Sequence, residues 1–209
     1  MSTVFEEIVR TRIVAVVRLA DYEQASEVAH ALIAGGISVI EFTLTGKGAT
    51  AAITKTRTEF ADKACIGVGT VLTPEDASSA IDAGAQFVVT PVMRPDVITT
   101  CRSRGIPIIC GALTPTEALA AHEAGAEMIK IFPARVGGPQ YIRDLLAPLP
   151  HLHLVPTGGI DAQNASSYLQ AGAVAVGIGG NLVSAHAATN GHWDEITRRA
   201  QECVRAIAM

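Results

Sequence analysis

The sequence predicts an α/β chain folded as one (β/α)8 barrel, and three observations carry that prediction. One grammar recurs: "AHALIAGGISVIEFTL", "ASSAIDAGAQFVVTP", "ALAAHEAGAEMIKIFP" and "SSYLQAGAVAVGIGG" each run from an Ala-rich amphipathic helix through a Gly-containing stop into a short β-rich run, and "CRSRGIPIICG" is a fifth copy. The β-rich runs are almost continuously apolar, as strands covered on both faces are. Eight such units fit in 209 residues with no linker or low-complexity stretch between them, so residues 1–209 read as a single domain of right-handed βαβ crossovers on a parallel sheet. A doubly wound open sheet is the alternative reading of the same alternation.

A short extra helix is expected near residues 2–10, ahead of the first strand at 13–17. Strands then follow at 39–43, 65–67, 87–90, 107–110, 128–132, 152–156 and 173–178, where Val and Ile favour a pleated, buried surface. Helices lie between them near 21–34, 48–60, 74–82, 94–104, 115–123, 139–147 and 161–170, with a last one at 193–207. Thr73-Pro74 and Thr114-Pro115 each put proline at the first helical position behind a capping hydroxyl. Asp161 is read as the cap of the seventh helix. Glycine at the helix ends takes φ > 0 and lets the last carbonyls be satisfied.

Composition narrows the class. The chain is 49% hydrophobic with a formal charge of −4, so it can bury a full core, and its mild acidity argues against a nucleic-acid surface. No apolar run approaches the roughly 20 residues that span a bilayer. The first residues, Met-Ser-Thr-Val-Phe-Glu-Glu, have neither a basic nor an apolar region of a secretory signal. Cys65, Cys101, Cys110 and Cys203 are scattered, without a Cys-x-x-Cys pair, and are read as core thiols in a reduced, cytoplasmic enzyme.

In a barrel, chemistry belongs at the C-terminal ends of the strands. Strand 1 ends at Arg18, strand 2 carries Glu41 and Thr43, and strand 3 runs into Thr70. Strand 4 ends in Thr90-Pro91, strand 6 holds Lys130, strand 7 runs into Thr157-Gly158-Gly159, and strand 8 into Gly179-Gly180-Asn181. Each has a plain reading. Lys130 could snorkel from an edge strand, Arg18 could sit at the surface, and the glycine pairs could be ordinary turns. Lys130 and Glu41 could be a structural ion pair, but buried pairs seldom add net stability. Two charges inside apolar strands favour catalysis, and two glycine pairs in the loops that commonly hold phosphate favour an anion.

Desolvation disfavours an ammonium, and a neutral amine can add to a ketone to form a Schiff base. A nearby carboxylate would shuttle protons as the adjacent carbon–carbon bond breaks. This is aldol cleavage that needs no metal and no cofactor. Glu41-Phe-Thr-Leu, Gly67-Val-Gly-Thr-Val-Leu-Thr-Pro, Thr90-Pro91, Lys130-Ile-Phe-Pro-Ala and Pro156-Thr-Gly-Gly-Ile together resemble the KDPG/KHG aldolase family over essentially the whole chain.

That resemblance implies class I cleavage of 2-keto-3-deoxy-6-phosphogluconate, or a relative, to pyruvate and glyceraldehyde 3-phosphate. It implies a homotrimer, Lys130 as Schiff-base residue and Glu41 as general acid/base. Thr70 and Pro91 would lie near the substrate carboxylate, and the glycine pairs with Asn181 would bind phosphate. An arginine common after "E-x-T-L" is missing, since Thr45 follows Leu44; Arg18 is the expected substitute at the carboxylate. Gly138-Pro-Gln-Tyr-Ile resembles the phosphogalactonate branch, whereas Thr157, placed for the C4 hydroxyl, resembles the phosphogluconate type. The unphosphorylated 4-hydroxy-2-oxoglutarate stays open as main substrate, and oxaloacetate decarboxylation as a side activity. A phosphosugar isomerase or epimerase barrel would share the glycine loops but would not need a lysine buried mid-strand.

Overall fold

The computed structural model describes residues 3–208; the expected helix start at residue 2 and the expected domain limits at 1 and 209 lie outside the described residues. Eight parallel strands follow the order β7-β6-β5-β4-β3-β2-β1-β8: β1 Ile13–Val17, β2 Val39–Thr43, β3 Cys65–Gly69, β4 Val88–Val89, β5 Ile108–Ala112, β6 Met128–Ile131, β7 Leu154–Pro156 and β8 Val176–Ile178. The seam between β7 and β8 is held by a bridge at Thr157 and Gly177 and by the Val174 N–H, which donates to the Leu154 carbonyl at 3.0 Å. The result is a nearly closed barrel.

Helices alternate with the strands: α1 Thr3–Thr11, α2 Ala25–Ala34, α3 Ala49–Phe60, α4 Pro74–Asp82, α5 Pro95–Ser103, α6 Pro115–Glu123, α7 Gly138–Leu146, α8 Ala165–Gln170, α9 Ala185–Thr189 and α10 Trp193–Ala208. The repeat's glycine stops are literal. Gly36, Gly84, Gly105, Gly125 and Gly172 all have positive φ. The residue after each donates its N–H five residues back: Ile37 to Leu32, Ala85 to Ala80, Ile106 to Cys101, Ala126 to Ala121 and Ala173 to Tyr168. This wraps the last helical carbonyls and turns the chain into the next strand.

The caps read from Thr73 and Thr114 are present, the first accepting from the Asp76 N–H at 3.1 Å and the second completing a capping box with Glu117. Asp161 does not cap a helix. Its carboxylate accepts from the Gln163 N–H at 2.9 Å in a short side-chain turn, and α8 starts later, at Ala165. The first crossover helix likewise starts later than expected, at Ala25, because residues 19–22 form a loop tied to Lys47. Short α9 was not anticipated, since five residues are too few to show a period.

Two cores result. Between strands and helices lies the larger, Ala-, Val- and Ile-rich layer. Inside the barrel a second cluster forms, in which Phe5 and Ile8 of α1 pack with Val14, Val39, Phe87, Ile109, Met128 and Val155. The extra N-terminal helix is thus the plug of the barrel's lower end. All four cysteines are free and buried, and burial pushes the Cys65 and Cys101 thiols up to about 12.

Candidate active site

Burial of the two charges comes first. Glu41 is 1% exposed and Lys130 3%. Lys130 faces the register of Gly111 on β5 and Val155 on β7, and Glu41 that of Val16 on β1 and Gly67 on β3. Both therefore project into the barrel with the inner cluster below them. Above Lys130 stands the ring of Phe132, its centroid 5.4 Å from Nζ. Phe132 directly follows β6, its N–H donating to the Ala112 carbonyl at 3.0 Å, so it continues the strand's alternation and shares the face of Lys130; that two-residue spacing was the signal available in the sequence.

Burial holds the Glu41 carboxyl above its ordinary 4.5, with Lys130 and then Arg18 pulling the other way. Its Oε1 is enclosed and has no hydrogen-bond partner. An unsatisfied buried carboxyl oxygen costs free energy unless something arrives to use it. Room for it comes from Gly69, where a Cβ would overlap the Glu41 carboxylate.

The other inward glycines work in the same manner. A Cβ at Gly67 would stand 2.5 Å from the Phe87 ring, and one at Gly177 would meet Thr157. One at Gly111 would enter the Pro91-Val92 backbone, which therefore folds over the strand next to Lys130. Thr90 fixes that fold, donating its hydroxyl to the Val92 carbonyl at 2.8 Å and accepting from the Gly111 N–H at 3.0 Å.

A cavity of about 260 Å³ opens at the mouth, lined by Val16, Arg18, Phe132, Arg135, Thr157, Gly158, Gly159, Ile160, Gly179, Gly180 and Asn181. Arg18, Thr157, both glycine pairs and Asn181, all read from the sequence, meet here. Thr70 and Pro91 do not line it; they follow β3 and β4, next to the glycines that accommodate Glu41 and flank Lys130. Thr70 is held at φ +59°, a left-handed conformation rare for a non-glycine residue and typical of ligand sites. The Thr157 hydroxyl is nearly free, reaching only the Val155 carbonyl at 3.4 Å.

Three contributions were missed in the sequence. Arg135, on a 3-10 turn (Ala134–Val136), brings a second cation to the cavity. Tyr22 ties the ends of β1 and β2: its hydroxyl lies 2.8 Å from the Val17 carbonyl and 2.9 Å from that of Thr43, and accepts from the Thr43 N–H at 3.0 Å. Phe132 is the third, described above.

Comparison with known proteins gives a consistent result. Residues 4–199 match the family model described as KDPG and KHG aldolase. The chain is 38% identical over 210 residues, covering 100% of both chains, to a 2-dehydro-3-deoxy-phosphogluconate aldolase of Treponema pallidum (strain Nichols). It is 34% identical over 174 residues, 83% of this chain and 85% of the relative, to a 2-dehydro-3-deoxy-6-phosphogalactonate aldolase of Escherichia coli (strain K12). Among solved structures, a KDPG aldolase from Legionella pneumophila, with pyruvate captured as a covalent carbinolamine intermediate, superposes with a TM-score of 0.85 at 31% identity, over 91% of this chain and 93% of that one.

Proposed function

This chain belongs to the KDPG and KHG aldolase family, and from that premise we propose that Lys130 and Glu41 carry a class I aldol cleavage at the barrel mouth. The enzyme is a carbon–carbon lyase that splits 2-dehydro-3-deoxy-6-phosphogluconate reversibly into pyruvate and glyceraldehyde 3-phosphate. One observation carries the site assignment: a lysine and a carboxylic acid, both nearly inaccessible, stand in one apolar tube with the acid's Oε1 unpartnered.

In this reading Lys130 Nζ adds to the C2 ketone to give a carbinolamine. Glu41, kept protonated more readily by burial, donates a proton to the departing C2 hydroxyl, and water leaves the protonated imine. The resulting carboxylate takes the proton of the C4 hydroxyl. The C3–C4 bond then breaks, its electrons moving toward the imine to give an enamine, and the aldehyde departs. Glu41 returns the proton to C3, and water hydrolyses the imine to pyruvate and free lysine. Arg18, Thr70 and the Pro91 backbone hold the substrate carboxylate; Thr157 holds the C4 hydroxyl; Gly158, Gly159, Gly179, Gly180 and Asn181 form the phosphate end.

The Thr157 hydroxyl, held only by a long bond to the Val155 carbonyl, favours the phosphogluconate substrate. Arg18 in the cavity and the Gly138-Pro-Gln-Tyr-Ile stretch favour the phosphogalactonate epimer as second reading. 4-Hydroxy-2-oxoglutarate is the third candidate, with oxaloacetate decarboxylation as a side activity of the same imine.

The assembly is a homotrimer in this proposal, and the whole chain, 1–209, works as one domain. Leu72, Val92 and Val136, exposed by 43%, 52% and 71% on loops at the mouth, support an interface there. Sedimentation should give three chain masses; one chain mass would overturn it. A cytoplasmic location is proposed from the four free, buried thiols.

Reductive trapping tests the chemistry. Pyruvate with borohydride should leave a single stable adduct on Lys130, absent in Lys130→Ala. A well-folded protein that takes no adduct would make Lys130 a structural charge and end the Schiff-base assignment.

A further inference from the structure

The cavity at the mouth has two cationic side chains among its described lining residues, Arg18 and Arg135. They serve different ends of it. Arg18 lies close enough to Glu41 to lower that carboxyl's pKa, whereas Arg135 does not figure among the groups acting on Glu41. Arg135 instead stands on the glycine loop. Its backbone N–H donates to the Gly158 carbonyl at 3.1 Å, and a Cβ at Gly159 would come within 2.9 Å of the Arg135 Cβ, so the arginine stem lies against Gly159. No ion pair among the described residues engages its guanidinium, although seven other pairs occupy arginines and histidines elsewhere.

The opposite wall of this end lacks a side-chain donor to match. Asn181 Nδ2 is committed to the Ile160 carbonyl at 3.0 Å, where it ties the two glycine loops together. The loops themselves offer backbone N–H groups, which orient an anion but bring no net charge. We propose that Arg135 is the phosphate-reading residue of this enzyme: its guanidinium pairs with the terminal phosphate ester of the substrate and makes the chain selective for phosphorylated over unphosphorylated 2-keto-3-deoxy acids. This rests on the aldolase reading above and goes beyond it by assigning the phosphate's charge to one side chain. Arginine suits the task because its fork can meet two phosphate oxygens at once.

The test compares wild type, Arg135→Gln and Arg135→Lys on 2-dehydro-3-deoxy-6-phosphogluconate and on the same acid without its phosphate. Binding of sn-glycerol 3-phosphate against glycerol is titrated in parallel as an inert probe. In Arg135→Gln the ratio of kcat/KM for phosphorylated over unphosphorylated acid should fall about 10- to 100-fold, the loss of a charge-assisted bond. Most of that fall should appear in KM, with part restored in Arg135→Lys, and glycerol 3-phosphate should weaken by a similar factor. An unchanged ratio, or equal losses on both substrates, would overturn the proposal. The two levels separate cleanly. Pyruvate trapping that succeeds beside an Arg135-independent ratio sinks this assignment and leaves the aldolase standing. Trapping that fails, while glycerol 3-phosphate binding still depends on Arg135, sinks the Schiff base and leaves the phosphate site.

Discussion

Burial makes Glu41 hold its proton more tightly than a carboxyl in water does. Burial raises its carboxyl more than Lys130 and Arg18 lower it, so the charged form weakens the fold. The folded chain then binds this proton more tightly than the unfolded one, and stability falls as pH rises above the ordinary value of 4.5 toward the folded value. Glu41→Gln keeps the shape and cannot ionise. Its melting temperature should match wild type near pH 4 and exceed it increasingly toward neutrality, while turnover drops about 10²- to 10⁴-fold, the range for a lost general acid/base. Melts at pH 4 to 8 beside a cleavage assay check both. A variant less stable than wild type at pH 7 would show that Glu41 contributes to the fold as an ion. At this scale the sequence was legible where a charge broke an apolar run, as at Glu41 and Lys130. It was illegible where a residue acts through its place in a loop, as Arg135 does, because nothing in "PARVGG" says which way its side chain turns.

Elements were legible to the extent that their ends carry chemistry. Proline behind threonine marked α4 and α6, and glycine marked the entries to β2, β4, β5, β6 and β8, five stops with one hydrogen-bond pattern. Strand limits were less visible, since β4 keeps only Val88 and Val89 in its ladder although Phe87 before them is equally apolar and buried. Inward glycines explain how so small a barrel holds a site: Gly67, Gly69, Gly111 and Gly177 vacate the space that Phe87, Glu41, the Pro91 backbone and Thr157 fill. The glycine stops are the easier ones to test. Gly125, at φ +103°, turns α6 into β6 and so sets the register that carries Lys130. Alanine there adopts an unfavourable backbone and pushes its Cβ to 2.6 Å from Arg102 Cδ, a flexible side chain that can move aside by giving up its exposed 3.1 Å bond to the Ala124 carbonyl. Backbone strain is therefore the main cost, about 1–2 kcal/mol. Urea unfolding of Gly125→Ala should show that loss with the m-value unchanged; no loss would mean the stop relaxes without cost.

The whole molecule is polarised along the barrel axis. Its lower end is closed by Phe5 and Ile8 of α1, which complete the inner cluster. Its upper end keeps the charged pair, the two arginines and the apolar loop tips. A buried lysine and glutamate weaken the interior they occupy, so the apolar layer below must supply the stability they take. This separation makes a prediction that a uniformly packed barrel would not. Ile8 is fully buried, and Ile8→Ala removes three carbons from the plug, far down the axis from Lys130. A large-to-small change of this kind costs about 2–5 kcal/mol, which denaturant melts would read directly. Pyruvate trapping at Lys130 should proceed in the folded variant at a rate within about twofold of wild type, because the strands that carry the mouth pair through their own ladders rather than through α1. A large stability loss with the trapping rate preserved would establish that plug and mouth are energetically separable. A trapping rate that fell in step with stability would show instead that the plug holds the geometry of the charged pair, and that the barrel interior responds as one unit.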